Sequence, residues 1–270
     1  IRLSLVGSEM CIRDRNGTPL RPALLWADVR GHTAPYARLR PAERQALANP
    51  VVAGMFGPLL AWALDAEPGL RARLRWALSP KDWLRLTLTG RAATEPSDAS
   101  ATLLWDIPAS DWSAPALAVL GIEPSLLPAL TRSDEVAGRL DRRGAGLLGL
   151  PSGTPVAAGA ADVAAGLTGS GLPVGHAQLS IGTGAQIVVP IDDPGPLPDP
   201  VTHRYRRADP TGWYAMAAVQ NAGLALQWVR DVLGAGWDEM HAALDTEPPG
   251  AGGVTFHGYL SGERTPVLDT

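Results

Sequence analysis

Between Arg143 and Asp192 the chain carries a single formal charge, Asp162. Its surroundings, TPVAAGAADVAAGLTGSG from Thr154 to Gly171, are small and largely apolar. A carboxylate buried among such residues costs several kcal/mol unless something pairs with it, so its presence needs a reason. One reason is chemical. Thr154–Ala158, opened by Pro151 and closed by Gly159, reads as a short buried strand, and open α/β sheets place ligand-handling residues just past the carboxyl ends of their strands. The other reason is structural: Asp162 caps a helix starting over Val163–Leu167, accepting from the next backbone N–H groups. The two readings are compatible, because a cap fixes the rotamer that a catalytic carboxylate needs.

A second candidate comes in QLSIGTGAQIVVP, Gln178–Pro190, where two β-type runs flank Gly182-Thr183-Gly184. Glycines beside a hydroxyl let backbone N–H groups approach a phosphate without interference from a Cβ. A hairpin turn with no ligand is the plainer meaning of the same residues. Gly144-Ala145-Gly146-Leu147-Leu148-Gly149 matches the dinucleotide fingerprint in letters only, since it precedes a strand instead of coming after one. The five histidines show no metal-ligand spacing, and a lone cysteine, Cys11, forms no internal disulfide.

The elements that must position these residues come from 270 residues, 46% of them apolar, enough for two domains with substantial cores. A net charge of −4 without a Lys/Arg block gives no footprint for nucleic acid or an anionic membrane. Gly, Pro, Ser and Thr break up any apolar span across Gly144–Ile191, so that stretch reads as core. Residues 1–15 do not join sensibly to the chain from Asn16 onward and read as a non-native or disordered N-terminus. Asn16-Gly17 marks a hairpin turn, and Ala23–Trp26 a buried strand. Pro41–Asn49 reads as a helix; Ser79-Pro80-Lys81-Asp82 opens another, with Ser79 and Asp82 as a capping box and Gly90 as its stop. Ser97-Asp98 reads as a cap or loop hydrogen bond, Ser113–Leu130 as helical with turns at Gly121 and Pro124, and 191–205 as an exposed loop. Gly212–Val219 and Val254–Leu260 read as strands around a helix, Asn221–Leu233.

The order of these blocks is more specific than any one of them. LRPALLWADVR (Leu20–Arg30), SPKDWLRLTLTG (Ser79–Gly90), PSDASATLLWDIPASDWS (Pro96–Ser113), GAADVAAG (Gly159–Gly166), LSIGTGA (Leu179–Ala185) and YLSGERTP (Tyr259–Pro266) resemble, in sequence order, the carbohydrate kinases of the FGGY family, most closely their xylulokinase branch. The resemblance covers Asn16 to Pro266.

It implies an α/β, actin-like (ribonuclease H-like) two-domain ATPase fold, truncated here. Residues 16–175 would be the N-terminal, sugar-binding domain without its first strands, and 176–270 the start of the C-terminal, nucleotide-side domain. The implied activity is ATP-dependent phosphorylation of a sugar hydroxyl, D-xylulose to D-xylulose 5-phosphate, with ATP and Mg2+ and with Asp162 as general base. Trp26, Asp28, Gly54, Met55 and Val163 fall in blocks that border the sugar, and Gly182, Thr183 and Gly184 would be the second-domain phosphate turn. Each has a plainer alternative: core packing for Trp26, Gly54 and Met55, and an ion pair with Arg30 for Asp28. Two departures loosen the match. Val163 stands where the family often has Asn, and Leu59 where it usually has Lys. The first-domain phosphate turn and the adenine-side glycines lie outside these 270 residues, so the piece alone is expected to be inactive. The resemblance further implies a cytoplasmic protein whose partners are the sugar and ATP, neither nucleic acid nor membrane, and it is compatible with a homodimer. The competing readings are a non-catalytic sugar- or protein-binding module on the same fold, and a kinase of ribulose, glycerol or gluconate.

Overall fold

A computed structural model describes residues 8–260 and 262–268. The chain opens with strand β1 (Ser8–Arg13), which turns through Asp14–Thr18. β1 lies between β2 (Leu24–Leu25) and β3 (Trp76–Leu78) in an antiparallel sheet. Of the expected non-native or disordered N-terminus, the disordered alternative does not apply to Ser8–Arg13. Met10, Cys11 and Ile12 are buried, and the backbone of Cys11–Arg13 is in register with β3. That short apolar run suffices for a ladder even though its sequence joins poorly to the segment from Asn16 onward; residues 1–7 lie outside the described residues. The expected strand Ala23–Trp26 shrinks to Leu24–Leu25, with only Leu24 buried, because β2 is an edge strand.

Helix α1 (Pro41–Ala46) leads to α2 (Phe56–Ala66), whose Phe56, Leu59, Leu60, Ala63 and Leu64 are buried on several sides. A helix apolar all round belongs inside a core. A short α3 (Leu70–Arg73) precedes α4 (Pro80–Thr89), which starts with proline where no N–H is missed and stops at Gly90, φ 69°. The expected capping box is absent. Ser79 makes no side-chain cap bond, and Asp82 turns into the interior, 2.7 Å from both Lys81 Nζ and Arg85 Nη2.

β4 (Ala93–Thr94) and α5 (Pro96–Ala99) precede a hairpin of β5 (Trp105–Asp106) and β6 (Asp111–Trp112). α6 (Ala114–Leu120) is capped by Ser113, whose Oγ accepts from Ala116 N–H at 3.3 Å. β7 (Ala129–Leu130) pairs parallel with β4, and β8 (Val136–Arg139) leads through α7 (Arg142–Leu148) to β9 (Pro155–Ala157). The glycines from Gly144 to Gly149 therefore belong to a helix and its cap. β9 pairs antiparallel with β8 and is largely exposed, not buried as expected. From it the chain enters α8 (Asp162–Ser170).

The remaining strands, β10 (Gln178–Ile181), β11 (Ala185–Ile191), β12 (His203–Arg206) and β13 (Trp213–Val219), form an antiparallel sheet in the order β10-β11-β13-β12. α9 (Gly223–Leu233) and α10 (Trp237–Thr246) come next. Val254–Leu260 is not a strand: apart from a bridge at Leu260 it is irregular, with Val254, Phe256 and Tyr259 exposed. One hydrophobic cluster joins β1, α2, α6 and α8 to Val188, Tyr205, Tyr214 and Met216 of this last sheet. Among the described residues no helix is long and apolar enough to cross a membrane.

His203 on β12 is buried and stacked on Tyr205, ring centroids 5.3 Å apart. Burial, helped by the charge of Arg264, pushes its pKa from 6.5 down to about 3. The folded state therefore binds this proton less readily than the unfolded chain. Its contribution to stability is complete above about pH 6.5 and is lost as pH falls toward 3. Denaturant midpoints measured from pH 7 to pH 4 should accordingly drop less for His203→Phe, which keeps the stacked ring, than for the parent chain. Parallel losses would assign the acid sensitivity elsewhere.

Candidate functional site

Asp162 is the first residue of α8 and is exposed. It is not the N-cap; Ala161 holds that position, and the Asp162 carboxylate accepts from Val163 N–H at 2.7 Å. The cost of a buried lone carboxylate therefore does not arise. Negative charge in the first turn suits the positive end of the helix. Val163 is partly buried against the main core, beside Ala164 and Leu167, which are fully inside it. The field of Asp162, with those of Asp98 and Glu95, reaches Tyr214, whose hydroxyl is pushed well above its ordinary range, chiefly by burial.

Behind the loop that leads to Asp162 lies a cluster whose residues read, in sequence, as scaffold. Lys81 Nζ is 2.7 Å from Asp82, 3.1 Å from Asp98 and 3.4 Å from Glu95. Arg85 joins Asp82 and donates to the carbonyls of Ala93 and Ala158. Burial pushes the Asp98 carboxyl up to about 6, against the pull of Lys81 and with the repulsion of Asp82 and Glu95. Burial alone would lower the pKa of Lys81, but the three carboxylates outweigh it and raise it. The available signal was Lys81, Asp82 and Arg85 one turn apart on one helix, masked because Asp82 also fits a capping box.

Gly182, Thr183 and Gly184 form the turn between β10 and β11, with Gly182 and Thr183 exposed. Gly182 N–H donates to Gly184 carbonyl at 2.7 Å. The carbonyl of Gly182 accepts from Gly223 N–H at 2.9 Å, and that of Thr183 from Ala222 and Leu224 N–H at 3.2 and 3.0 Å. The turn is thus docked on the start of α9, with Thr183 exposed to solvent. Beside it, the buried Glu263 accepts from Gln220 and Arg264 N–H at 2.6 and 2.7 Å and from the Asn221 side chain at 3.2 Å. Burial would raise its pKa, but these hydrogen bonds prevail and lower it.

Trp26 is not a core residue. It is 38% exposed, with the Arg264 guanidinium 4.1 Å from its ring centroid, so the loop that Glu263 anchors reaches the residue after β2. Gly54 is pressed against that segment; a Cβ there would come within 1.8 Å of the Trp26 carbonyl oxygen. Met55 packs in the main core, and Leu59 is fully buried there. Asp28 pairs with Arg30, whose Nε donates to Oδ1 at 2.9 Å and whose guanidinium lies over Trp62. That hydrogen bond lowers the Asp28 pKa despite some burial. Both line a cavity of about 450 Å3 with Arg21, Leu24 and Leu25. A larger surface hollow, about 600 Å3 between Trp76, Trp112 and Leu130, contains none of the expected site residues.

This architecture has close counterparts. Residues 1–169 match the family model described as the FGGY family of carbohydrate kinases, N-terminal domain. The chain is 34% identical over 259 residues to a xylulose kinase of Klebsiella pneumoniae, covering 94% of this chain and 53% of that protein. The crystal structure of a "xyloylose kinase" from Brucella ovis is similar at 35% identity and a TM-score of 0.85, over 96% of this chain and 54% of that one. A gluconate kinase structure from Lactobacillus acidophilus, at 22% identity and a TM-score of 0.86, shares the fold. The fold is therefore the actin-like, ribonuclease H-like α/β fold of sugar kinases. The chain belongs to the FGGY family of carbohydrate kinases. It spans about half the length of the curated relatives it matches.

Replacing Glu263 by Ala removes the carboxylate to which Gln220 N–H, Arg264 N–H and Asn221 Nδ2 donate, while Asn221 Nδ2 keeps the Gly262 carbonyl at 2.6 Å, a loss of about 1–3 kcal/mol. The variant should unfold at lower denaturant and be cut faster by protease between Gly258 and Pro266. Unchanged cleavage there would show that the loop is held by other contacts.

Proposed function

We propose that this chain is the sugar-facing part of an ATP-dependent sugar kinase, with D-xylulose as the acceptor and D-xylulose 5-phosphate as the product. The observation that carries this reading is the placement of Asp162: an exposed carboxylate at the head of a helix, one loop beyond a strand end, in a chain of this family. A sugar hydroxyl ionises far above neutral pH. Phosphoryl transfer to it therefore gains from a carboxylate that takes the proton as the new O–P bond forms. Asp162 is assigned that role. The xylulose assignment rests on relatives named xylulose kinase at 31–34% identity.

Under this reading Trp26, Asp28 and Gly54 stand on the sugar side, Met55 and Val163 support that wall from the core, and the Gly182-Thr183-Gly184 turn meets the phosphates of ATP through its glycine backbone and the Thr183 hydroxyl. The described residues hold no group of three or more His, Cys, Asp or Glu suited to a metal ion. Mg2+ would come with the nucleotide, whose phosphate oxygens are its usual ligands. The domain boundary is placed near residue 175, between α8 and β10. A cytoplasmic setting, where ATP is plentiful, goes with this reading.

In the full-length protein that carries this chain, Asp162→Asn should lower kcat at least about 100-fold while sugar affinity stays within about tenfold, since a group needed mainly in the transition state is removed. Coupled ATP assays with xylulose, ribulose, glycerol and gluconate, together with sugar titrations, measure both. Turnover that survives the substitution would end the general-base assignment, and preference for another acceptor would end the xylulose one.

A further inference from the structure

The loop from Ala158 to Ala161 brings Asp162 to the surface, and little of it belongs to a sheet. Its backbone polar groups are instead held one by one. Ala158 N–H donates to the Glu135 carbonyl at 2.9 Å and Gly159 N–H to the Ser133 carbonyl at 3.1 Å. The Ala158 carbonyl accepts from Arg85 Nη1. Ala161 N–H, the last before the carboxylate, donates to Ser97 Oγ at 2.8 Å. Ala161 is the N-cap of α8, and it makes no side-chain cap bond. Besides the core packing of Val163, Ala164 and Leu167, the start of this helix is tied to α5 by the Ser97 hydroxyl.

The direction of that tie is fixed by Glu95. Each Glu95 oxygen accepts from a backbone N–H, and Lys81 Nζ stands beside Oε1, so the neighbouring hydroxyls donate to this carboxylate. Oε1 accepts from Ser97 O–H at 2.8 Å and Asp98 N–H at 3.1 Å; Oε2 accepts from Ser97 N–H at 2.8 Å and Ser133 O–H at 2.7 Å. Lys81 Nζ stands 3.4 Å from Oε1. The Ser97 proton must point to Glu95, which leaves an oxygen lone pair aimed at Ala161 N–H. Ser97 and Glu95 are both fully buried, so neither the hydroxyl nor the carboxylate can exchange this partner for water.

We propose that Ser97 and Glu95 are positioning residues for Asp162: the hydroxyl of Ser97, oriented by Glu95, sets where the head of α8 and its carboxylate sit. The inference rests on Asp162 being the general base. A carboxylate shifted by about 1 Å from its productive geometry loses on the order of a hundredfold in rate without any loss of substrate contacts. Ser97 touches neither sugar nor nucleotide in this scheme; it acts through the Ala161 peptide.

The test is steady-state kinetics on the full-length protein with xylulose and ATP, with Asp162→Asn as reference. Ser97→Ala should lower kcat about 10- to 100-fold with KM for the sugar within about threefold. Ser97→Thr, which keeps the hydroxyl, should recover kcat to within about threefold of the parent. A folded Ser97→Ala protein with parental kcat beside an inactive Asp162→Asn overturns the positioning role alone. So does a Ser97→Ala defect confined to KM, or one that a folded Ser97→Thr fails to relieve. Parental turnover in Asp162→Asn overturns the base assignment, and this inference with it. If Ser97→Ala does not fold by circular dichroism, Ser133→Ala decides, because that hydroxyl donates to Glu95 and to no atom of the loop. A fall in kcat at constant KM supports the relay, and an unchanged kcat overturns it.

Discussion

The structure depends on one buried charge cluster that takes the place of a sheet. After β9 the ladder ends, yet the chain must cross partly buried ground before Asp162 reaches solvent. Backbone N–H and C=O groups in that position have to be paired. Here Arg85 takes the Ala158 carbonyl and Ser97 the Ala161 N–H. Breaking a buried ion pair by removing one partner costs about 3–5 kcal/mol, so such charges persist only when they satisfy one another. Lys81 and Arg85 face Asp82, Glu95 and Asp98. Asp98, raised to about 6, is the carboxyl on which burial weighs visibly more than the nearby cation.

The same logic joins the last sheet to the first part of the chain. β12 is an edge strand, and an uncovered edge leaves its backbone groups without partners. The Asn49 side chain mimics a neighbouring strand: its Nδ2 donates to the Arg204 carbonyl and its Oδ1 accepts from Arg204 N–H, both at 3.0 Å. Ser100 Oγ accepts from Arg206 N–H at 2.9 Å. The residue after α5 thus holds the sheet that carries the Gly-Thr turn, while α5 itself holds the loop that carries Asp162. The two candidate chemical elements hang on one short helix.

Periodicity and turn chemistry made much of the frame legible. Pro80 and Gly90 delimit α4, the glycines of Gly182–Gly184 mark the β10–β11 turn, and the apolar run Gly212–Val219 announces β13. What failed has a common cause. A sequence shows the type of a residue but not its burial, so Asp82 passed for a cap and Asp162 for a buried charge, when the reverse burial holds. Trp26 was left between wall and core because tryptophan serves both; exposure and the Arg264 contact separate them. Glu95, Ser97 and Ser133 meet across 38 residues of chain, and no local pattern encodes that meeting. Val254–Leu260 has strand composition, but among the described residues it forms only the bridge at Leu260, and composition alone does not make a ladder.

Sugar recognition under the proposed function depends on what each candidate residue has to offer. A side chain of hydrocarbon cannot hydrogen-bond a hydroxyl, so Val163, partly buried against the core, contributes shape alone. Asp28 is engaged by Arg30, which in turn lies over Trp62, so the pair holds both side chains in place. Trp26 supplies a flat apolar face that suits the C–H side of a sugar ring or chain. The Arg264 guanidinium, from a loop near the other end of the chain, lies over one face of that ring. Glu263, accepting from Gln220 N–H just past β13 and from Arg264 N–H, fixes where that loop runs beside Trp26.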